Sequence, residues 1–567
     1  MKSGTHRKQV RSYIPLYGTL RHYQASWLKD DLVAGMTACI VMIPAVIAYA
    51  ELVHLPPITG LYAALAAALG YALFASSRQV IAGPDAAIGL LVGAAILPLS
   101  GTDPARLAVL AAELSLLCGA VLLLAARLKL GVIADLLSRP VLVGYLNGAS
   151  LILLSTQLGK LFGIKTQGEE FFPLLLSLIQ QLPSTHAPTL ALGLMLLALL
   201  VLLKYKMPQV PGALACSAVA LLTTLTLDLG RYGVELVGAV PAGLPRFEMP
   251  LILWADIQVL APAAVAIAFL AFSDGILLAQ AFAEKNGYEV NPNQELAALG
   301  SANILAALWQ GFPVSASQSR TSVVDAAGGR TQVAQLLAAA GLLFFLLFLT
   351  SLIAWLPRVA LGVILIVTAV GMLEIASLRS LYKVDRNEFG IAMAVTLAIL
   401  IAGVITGILA GLLMSLIAVL VQISRPRDAV LRRLISDGKF HDCLEDDEAE
   451  DVPGVMVYRL YAPLIFANAR YVVERIRQLV ETAGPELEWL IIDAQAITDM
   501  DVTAAQRFAE LHRELRDQGI QIKMADAPRP FREELAKVGL SDALGDQQFF
   551  VSVKKAVEAF ELRPESL

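Results

Sequence analysis

Apolar residues fall in long runs separated by short polar stretches through the first three quarters of the chain. The runs lie near 31–51, 58–76, 84–98, 105–127, 133–158, 188–206 and 209–227. A second set lies near 257–282, 293–310, 317–327, 332–355, 358–374, 389–404 and 406–424. A helix crossing a bilayer needs about 20 mostly apolar residues. The third run of each set is too short for that. Gly83-Pro84-Asp85 leads into about 15 residues, and Gly311-Phe312-Pro313 leads through Ser319-Arg320 into about 11. Non-helical backbone at membrane depth persists only where protein or a water-filled cavity satisfies its polar groups. Paired interrupted segments in corresponding places mark the substrate site of a transporter.

Seven runs per set is an odd number, so the second repeat must be inverted relative to the first. Between Glu388 and Arg425 no charge occurs, while Gly403, Gly407 and Gly411 fall inside. At 1.5 Å per residue that stretch would measure about 54 Å, so it reads as a helical hairpin and not one span. Basic residues sort the loops. With the N-terminus inside, the loops holding Arg127, Lys129 and Arg139, Lys204 and Lys206, Lys285, Arg330, and Arg379, Lys383 and Arg386 are all cytoplasmic. Both termini are then expected in the cytoplasm.

Composition agrees with a membrane protein. Of the 567 residues, 16% are charged, against about a quarter in a soluble domain, and the mean hydropathy is +0.68. Lys2, Arg7, Lys8, Arg11, Arg21 and Lys29 are spread over a polar, aromatic stretch with no short apolar core, so residues 1–30 read as a cytoplasmic membrane-surface segment and not a signal peptide. The cysteines, Cys39, Cys118, Cys216 and Cys443, lack metal-ligand spacing, and the six histidines do not pair at ligand spacing. No phosphate-cradling loop or catalytic triad occurs. The sequence predicts no enzyme, no metal and no cofactor, and no nucleic-acid partner.

After Arg425 the pattern changes. Residues 425–451 are charged and read as a solvated linker. From Val452 short strands alternate with amphipathic helices: VMVYRLYA, 468–482, WLIIDAQ, 503–518, IQIKMAD and 529–537. That is an α/β domain over 452–567.

Several motifs resemble one family. They are Pro56-Pro57-Ile58-Thr59-Gly60-Leu61-Tyr62, Ser77-Arg78 with Gly83-Pro84, Gly287-Tyr288-Glu289-Val290-Asn291, Asn293-Gln294-Glu295-Leu296, and the run from Gly311-Phe312-Pro313 through Ser317 and Ser319-Arg320 to Gly328-Gly329-Arg330-Thr331-Gln332. The chain is similar along nearly its whole length to the SulP anion permeases, the family of sulfate permeases, prestin and pendrin. Tyr461-Ala462-Pro463-Leu464 and Phe466-Ala467-Asn468 resemble the STAS domain that closes such proteins. The resemblance implies a 7+7 inverted-repeat membrane domain over 31–424, a core moving against a gate, and a homodimer. It also implies an anion held between the two half-helix N-termini, near Tyr49 and Ser319-Arg320. Ala45, after Pro44, departs from a glutamine common in the family and removes an amide near that anion.

Two helix N-termini facing one another present unpaired N–H groups and about half a positive charge apiece, which holds an anion without a full counter-charge. Ala86, Ala87 and Ile88 supply one set of amides, and Gln318, Ser319 and Arg320 the other. Ser315, Ser317, Ser319, Thr321 and Ser322 add hydroxyls, some of which are expected only to cap. Arg320 is an intramembrane charge, functional by default, that either faces the anion or pairs with a carboxylate. Asp85 reads equally as the carboxylate stabilising its helix end and as a coupling group. Asp274, alone in the run IAFLAFSDGILLAQAF, is the leading candidate for coupling anion entry to a proton. Sodium is the alternative, although Leu278, one turn on, offers no oxygen. Glu51 is expected at the interface. Asp493-Ala494-Gln495, Asp499-Met500-Asp501 and Thr503 match the STAS pattern, and Thr503 is either a helix cap or a phosphorylation position.

The expected function is secondary active transport of a small inorganic oxyanion, sulfate first, across a bacterial cytoplasmic membrane with proton coupling. Bicarbonate or dicarboxylate transport, an anion channel, and a regulatory membrane protein whose STAS domain recruits partners are the alternatives.

Overall fold

The fold is built from why two of the fourteen apolar runs stop halfway. In the computed structural model, which describes residues 14–101, 103–131, 138–166, 171–207, 210–250, 253–436, 438–442, 449–537 and 548–563, each short run is a two-residue strand followed by a half-helix. The basic residues before Tyr13, the start of the fifth run at 133, and Cys443 with the acidic residues after it lie outside the described residues.

After a surface helix α1 (Pro15–Arg21), the first repeat comprises α2 (Trp27–Leu52), α3 (Pro57–Phe74), strand β1 (Ala82–Gly83) with half-helix α4 (Ala86–Ser100), α5 (Pro104–Arg127) and α6 (Arg139–Phe162). An amphipathic helix α7 (Phe171–Gln181) follows, then α8 (Ala187–Lys206) and α9 (Gly212–Leu227). The second repeat comprises α10 (Trp254–Asn286), α11 (Pro292–Leu308), β2 (Ser315–Ala316) with half-helix α12 (Gln318–Ala326), α13 (Val333–Phe348) and α14 (Arg358–Met372). It continues with an amphipathic α15 (Ile375–Val384), α16 (Arg386–Ala402) and α17 (Val404–Ser424). Gly403, with φ 84°, separates α16 from α17, so the uncharged stretch is the expected pair of helices. The two amphipathic helices were not legible as separate elements, because each is too short to register beside the spans it flanks.

Helices α2–α5 and α10–α13 pack mainly on one another, with α11 against both α5 and α3 and α13 against α2. Helix α6 packs against α14 and α16, and α8 against α9 and α14. Two bundles result, here the core and the gate. They meet where α2 touches α9 and α14, and where α4 touches α6. Close approach in the core rests on glycine: a Cβ on Gly60 would lie 2.0 Å from the Val46 carbonyl oxygen.

The C-terminal region forms a separate compact unit, divided from the first at Ser415–Leu416. Its sheet runs β4 (Phe440–His441), β3 (Asp428–Leu434), β6 (Val455–Leu460), β7 (Trp489–Asp493), β8 (Gln521–Ala525), β9 (Phe549–Phe550), with β5 (Ala449–Glu450) also on β3. Strands β6 to β9 are parallel, and β3 is antiparallel to β6. Strand β3 corrects the reading of 425–451 as a solvated linker. Its charges hid it: Arg432 and Arg433 are met by Asp451, Glu450 and Glu561. Helices α18 (Ala469–Ala483), α19 (Val502–Asp517), α20 (Arg529–Lys537) and α21 (Val553–Glu561) cover the sheet. Asp493 is buried and takes Arg459 in a two-pronged ion pair.

Candidate functional site

The site is made by the crossing of β1 and β2. The strands pair antiparallel, Ala82 with Ala316 and Gly83 with Ser315. The Ser317 amide donates to the Ile81 carbonyl at 3.0 Å, and the Ile81 amide donates to the Thr321 hydroxyl at 3.0 Å. This short ribbon sets the N-termini of α4 and α12 beside each other in the core.

The amides at the two tips are not equivalent. Asp85 is the N-cap of α4 and accepts from the Ala87 amide at 3.2 Å. The Ala87 amide is therefore already engaged, which narrows the expected trio to Ala86 and Ile88. At the other tip Ser317 caps α12 in position only, with no side-chain bond to the first turn. The amides of Gln318, Ser319 and Arg320 lack intrahelical acceptors by geometry. Gln318 and Ser319 are exposed, and the hydroxyls of Ser317 and Ser319 lie 3.3 Å apart. Thr321 and Ser322 are structural: one braces Ile81 and the other returns to the Gln318 carbonyl.

Arg320 runs back from α12 toward the opposite tip. It is 1% exposed, its Nη2 donates to the Pro84 carbonyl at 2.8 Å, and its Nε is buried without a partner. Gly83 makes the space, since a Cβ there would stand 3.2 Å from Nη2. The guanidinium feels both Asp85 and Tyr49 electrostatically, yet no carboxylate of the described residues comes within ion-pair distance of it. Tyr49 is 5% exposed, with Thr368 of α14 facing its hydroxyl. Asp274 is partly exposed, and its charged neighbour is Asp85. Tyr145 of α6 reaches from the gate to donate to the Ala87 carbonyl at 2.9 Å. Beside Asp274 the Ser273 hydroxyl is fully buried and unpartnered. Tyr49, Asp85, Arg320 and Asp274 thus form one cluster at the facing tips.

Two carboxylates outside that cluster hold the loops that lead into it. Glu295 of α11, 1% exposed, accepts from Tyr71 Oη at 2.5 Å, Ser76 Oγ at 2.6 Å and the amides of Ser76 and Ser77 at 2.9 and 2.8 Å. Asp31 of α2 accepts from Tyr23 Oη, the Arg330 and Thr331 amides and Thr331 Oγ1. The Gln332 side chain donates to the Ser77 and Val80 carbonyls. Asn303 accepts from the Val314 amide and donates to its carbonyl, fixing the approach to β2. Glu295 and Arg330-Thr331-Gln332 stood in the quoted motifs, but a motif does not display a partner more than 200 residues away. Truncating Glu295 to alanine removes the acceptor of the buried Ser77 amide, the half-buried Ser76 amide and the buried Tyr71 hydroxyl, a cost on the order of 3 to 5 kcal/mol. The expected outcome is a melting temperature lowered by several degrees or no recoverable folded protein. Unchanged melting by fluorescence-detected chromatography would show the clamp to be dispensable.

In the STAS region Thr503 is exposed in the first turn of α19. The capping reading is corrected: Asp501 is the N-cap and accepts from the Ala504 amide at 2.8 Å, because the helix begins at Val502 and Thr503 already lies inside its first turn. No group of three or more metal-binding side chains occurs among the described residues.

Residues 28–395 match the model of the sulfate permease family, and residues 448–556 match that of the STAS domain. A relative from Mycobacterium tuberculosis, named a probable sulfate transporter, is 38% identical over 96% of this chain and 97% of its own. The chloroplastic sulfate transporter 4.1 of Arabidopsis thaliana is 28% identical over 97% of this chain and 82% of its own. Among solved structures, murine Slc26a9, an anion transporter in the inward-facing state, superposes with a TM-score of 0.90 at 21% identity, covering 98% of this chain and 95% of that one. The transmembrane domain of the cyanobacterial bicarbonate transporter BicA superposes at 0.60 with 23% identity, over 70% of this chain and 98% of its own. These likenesses, with the broken helices, define an integral membrane anion transporter. The chain belongs to the sulfate permease family, whose members are permeases and not enzymes, and it carries a C-terminal STAS domain.

Proposed function

We propose that this protein is a secondary active transporter of a small inorganic oxyanion, sulfate first, coupled to protons. The anion sits between the tips of α4 and α12, against Arg320, Ser319 and Tyr49, with the amides of Ala86, Ile88 and Gln318 within its first shell. The observation that carries this reading is Arg320: a buried cation between two positive helix ends, with Nε left unpartnered. A buried donor without a partner costs free energy, and an oxyanion recovers it. Sulfate is favoured over other oxyanions because the mycobacterial and plant relatives are named sulfate transporters. Asp274 is the proposed proton carrier and Asp85 its electrostatic neighbour. The protein is proposed to sit as a homodimer in the bacterial cytoplasmic membrane with both termini inside. Residues 31–424 would then form the transport domain, and the following sheet domain a cytoplasmic STAS platform on which Thr503 is accessible.

The test is uptake of radiolabelled sulfate into proteoliposomes, with and without an inward proton gradient, competed by bicarbonate, chloride and fumarate. Accumulation above equilibrium driven by the gradient is the expected result. Absence of sulfate flux from demonstrably folded protein discards sulfate, and flux of a competitor in a direct assay replaces it.

A further inference from the structure

The end of α2 was expected at the membrane interface, yet Glu51 is largely covered, its side chain 13% exposed. It faces two cations of the gate: Lys160 at the end of α6, 3.4 Å away, and Arg358 at the start of α14, 3.7 Å away. Both distances exceed good hydrogen bonds, and neither Glu51 oxygen has a hydrogen-bond partner. Glu51 belongs to the core, and both cations belong to the gate. The triad therefore spans the seam that must slip if the core moves against the gate.

Glu51 and Lys160 line a cavity of about 400 Å³, together with Leu90, Thr156 and Gln157, and Arg358 stands behind Glu51 outside that lining. Gln157 is 2% exposed, and its Oε1 is buried and unpartnered. Leu90 lies two residues beyond Ile88 on α4 and Glu51 two residues beyond Tyr49 on α2, so the cavity is less than one helical turn along either helix from the central cluster. Two cations against one carboxylate leave a net positive charge around Glu51, at the edge of the cavity. Glu51 is largely covered while the Arg358 side chain is half exposed, and an ion pair at such a boundary, held without hydrogen bonds, contributes little net stability. An oxyanion able to accept from both cations exchanges favourably with such a carboxylate.

We infer that Lys160 and Arg358 form a second oxyanion site at this end of the path, and that Glu51 fills it as a surrogate anion when substrate is absent. Arrival of the oxyanion displaces Glu51, and that displacement unfastens core from gate. This deepens the transport reading, on which it rests for the identity of the substrate class.

Neutralising an ordinary structural ion pair from either side has the same effect. Here the two sides act oppositely. Equilibrium binding of radiolabelled sulfate to purified protein at constant ionic strength reads the site directly, and an Arg320→Met background removes the central site. In that background Glu51→Gln is expected to tighten the remaining sulfate binding by about fivefold or more. Lys160→Met or Arg358→Met is expected to weaken it by about tenfold, and Lys160→Arg to restore it. With Arg320 intact, the same substitutions shift the apparent affinity in the same opposite directions, which keeps the test available if the background folds poorly. No sulfate binding in Glu51→Gln, or shifts of one sign from both sides of the triad, overturns the proposal. Proteoliposomes of the unaltered protein that carry no sulfate sink the transport reading alone, since the binding pattern is read without transport.

Discussion

Arg320→Met is expected to lower sulfate uptake by at least about 100-fold while the protein still folds. Arg320 is the one cation in the cluster at the helix tips, where Asp85 and Asp274 are the nearby carboxylates. With arginine present, two helix ends and a guanidinium oppose those acids. With methionine, an incoming dianion meets only the helix ends and two carboxylates. Removing one partner of a buried charge contact costs about 2 to 5 kcal/mol, and the upper half of that range corresponds to more than a hundredfold. Methionine keeps much of the side-chain volume, so the Gly83 side of the site is not left empty. The single bond to the Pro84 carbonyl is lost, but the ribbon between β1 and β2 and the brace from Thr321 remain to hold the tips. Initial rates in proteoliposomes, normalised to monodisperse protein, decide it. Normal uptake by Arg320→Met would remove the central argument for the site.

Asp274→Asn is expected to separate movement from coupling. Downhill sulfate flux continues, within about tenfold of the unaltered protein, while gradient-driven accumulation falls to equilibrium. A dianion entering a site that already holds Asp85 and Asp274 raises the local negative charge, and protonation of an acid relieves it. Asp85 is committed to the Ala87 amide as a helix cap, and protonation would strip that bond of its charge assistance. Asp274 holds no such structural duty among the described contacts, and its partial exposure gives a proton a route. Uptake against a concentration gradient, driven by an imposed pH difference, is the measurement. Accumulation that survives in Asp274→Asn assigns coupling elsewhere.

Length alone made the two broken helices legible, because a run of 11 or 15 apolar residues cannot span and a polar interruption within the membrane needs a reason. The cation at the second break was legible for the same cause. What escaped the sequence was pairing at a distance. Nothing around Glu295 says that its acceptors face the Ser76–Ser77 loop, and nothing near Asp31 points to Thr331. The place of Glu51 near the end of a run suggests water, whereas its environment is decided by Lys160 and Arg358 from two other helices. The role of Asp85 split differently: the pattern allowed both a cap and a coupling acid, and geometry establishes the cap. Strand β3 escapes the sequence because its arginines look solvated until acids from two other places, Glu450-Asp451 and Glu561, meet them.

The ribbon of β1 and β2 also has a consequence for biosynthesis. Gly83 finds its partner at Ser315, and roughly 230 residues must be translated between them. At about 5 to 20 residues per second, the first half-helix waits on the order of 10 to 50 seconds with strand edges unpaired inside a lipid bilayer. During that interval α4 is too short to hold a transmembrane position by itself. It must shelter against α2, α3 and α5, or in the translocation machinery, until its counterpart arrives. The facing of the two half-helices therefore cannot form until about three quarters of the membrane domain has been translated, and chains stalled before Ser315 are the ones quality control should recognise.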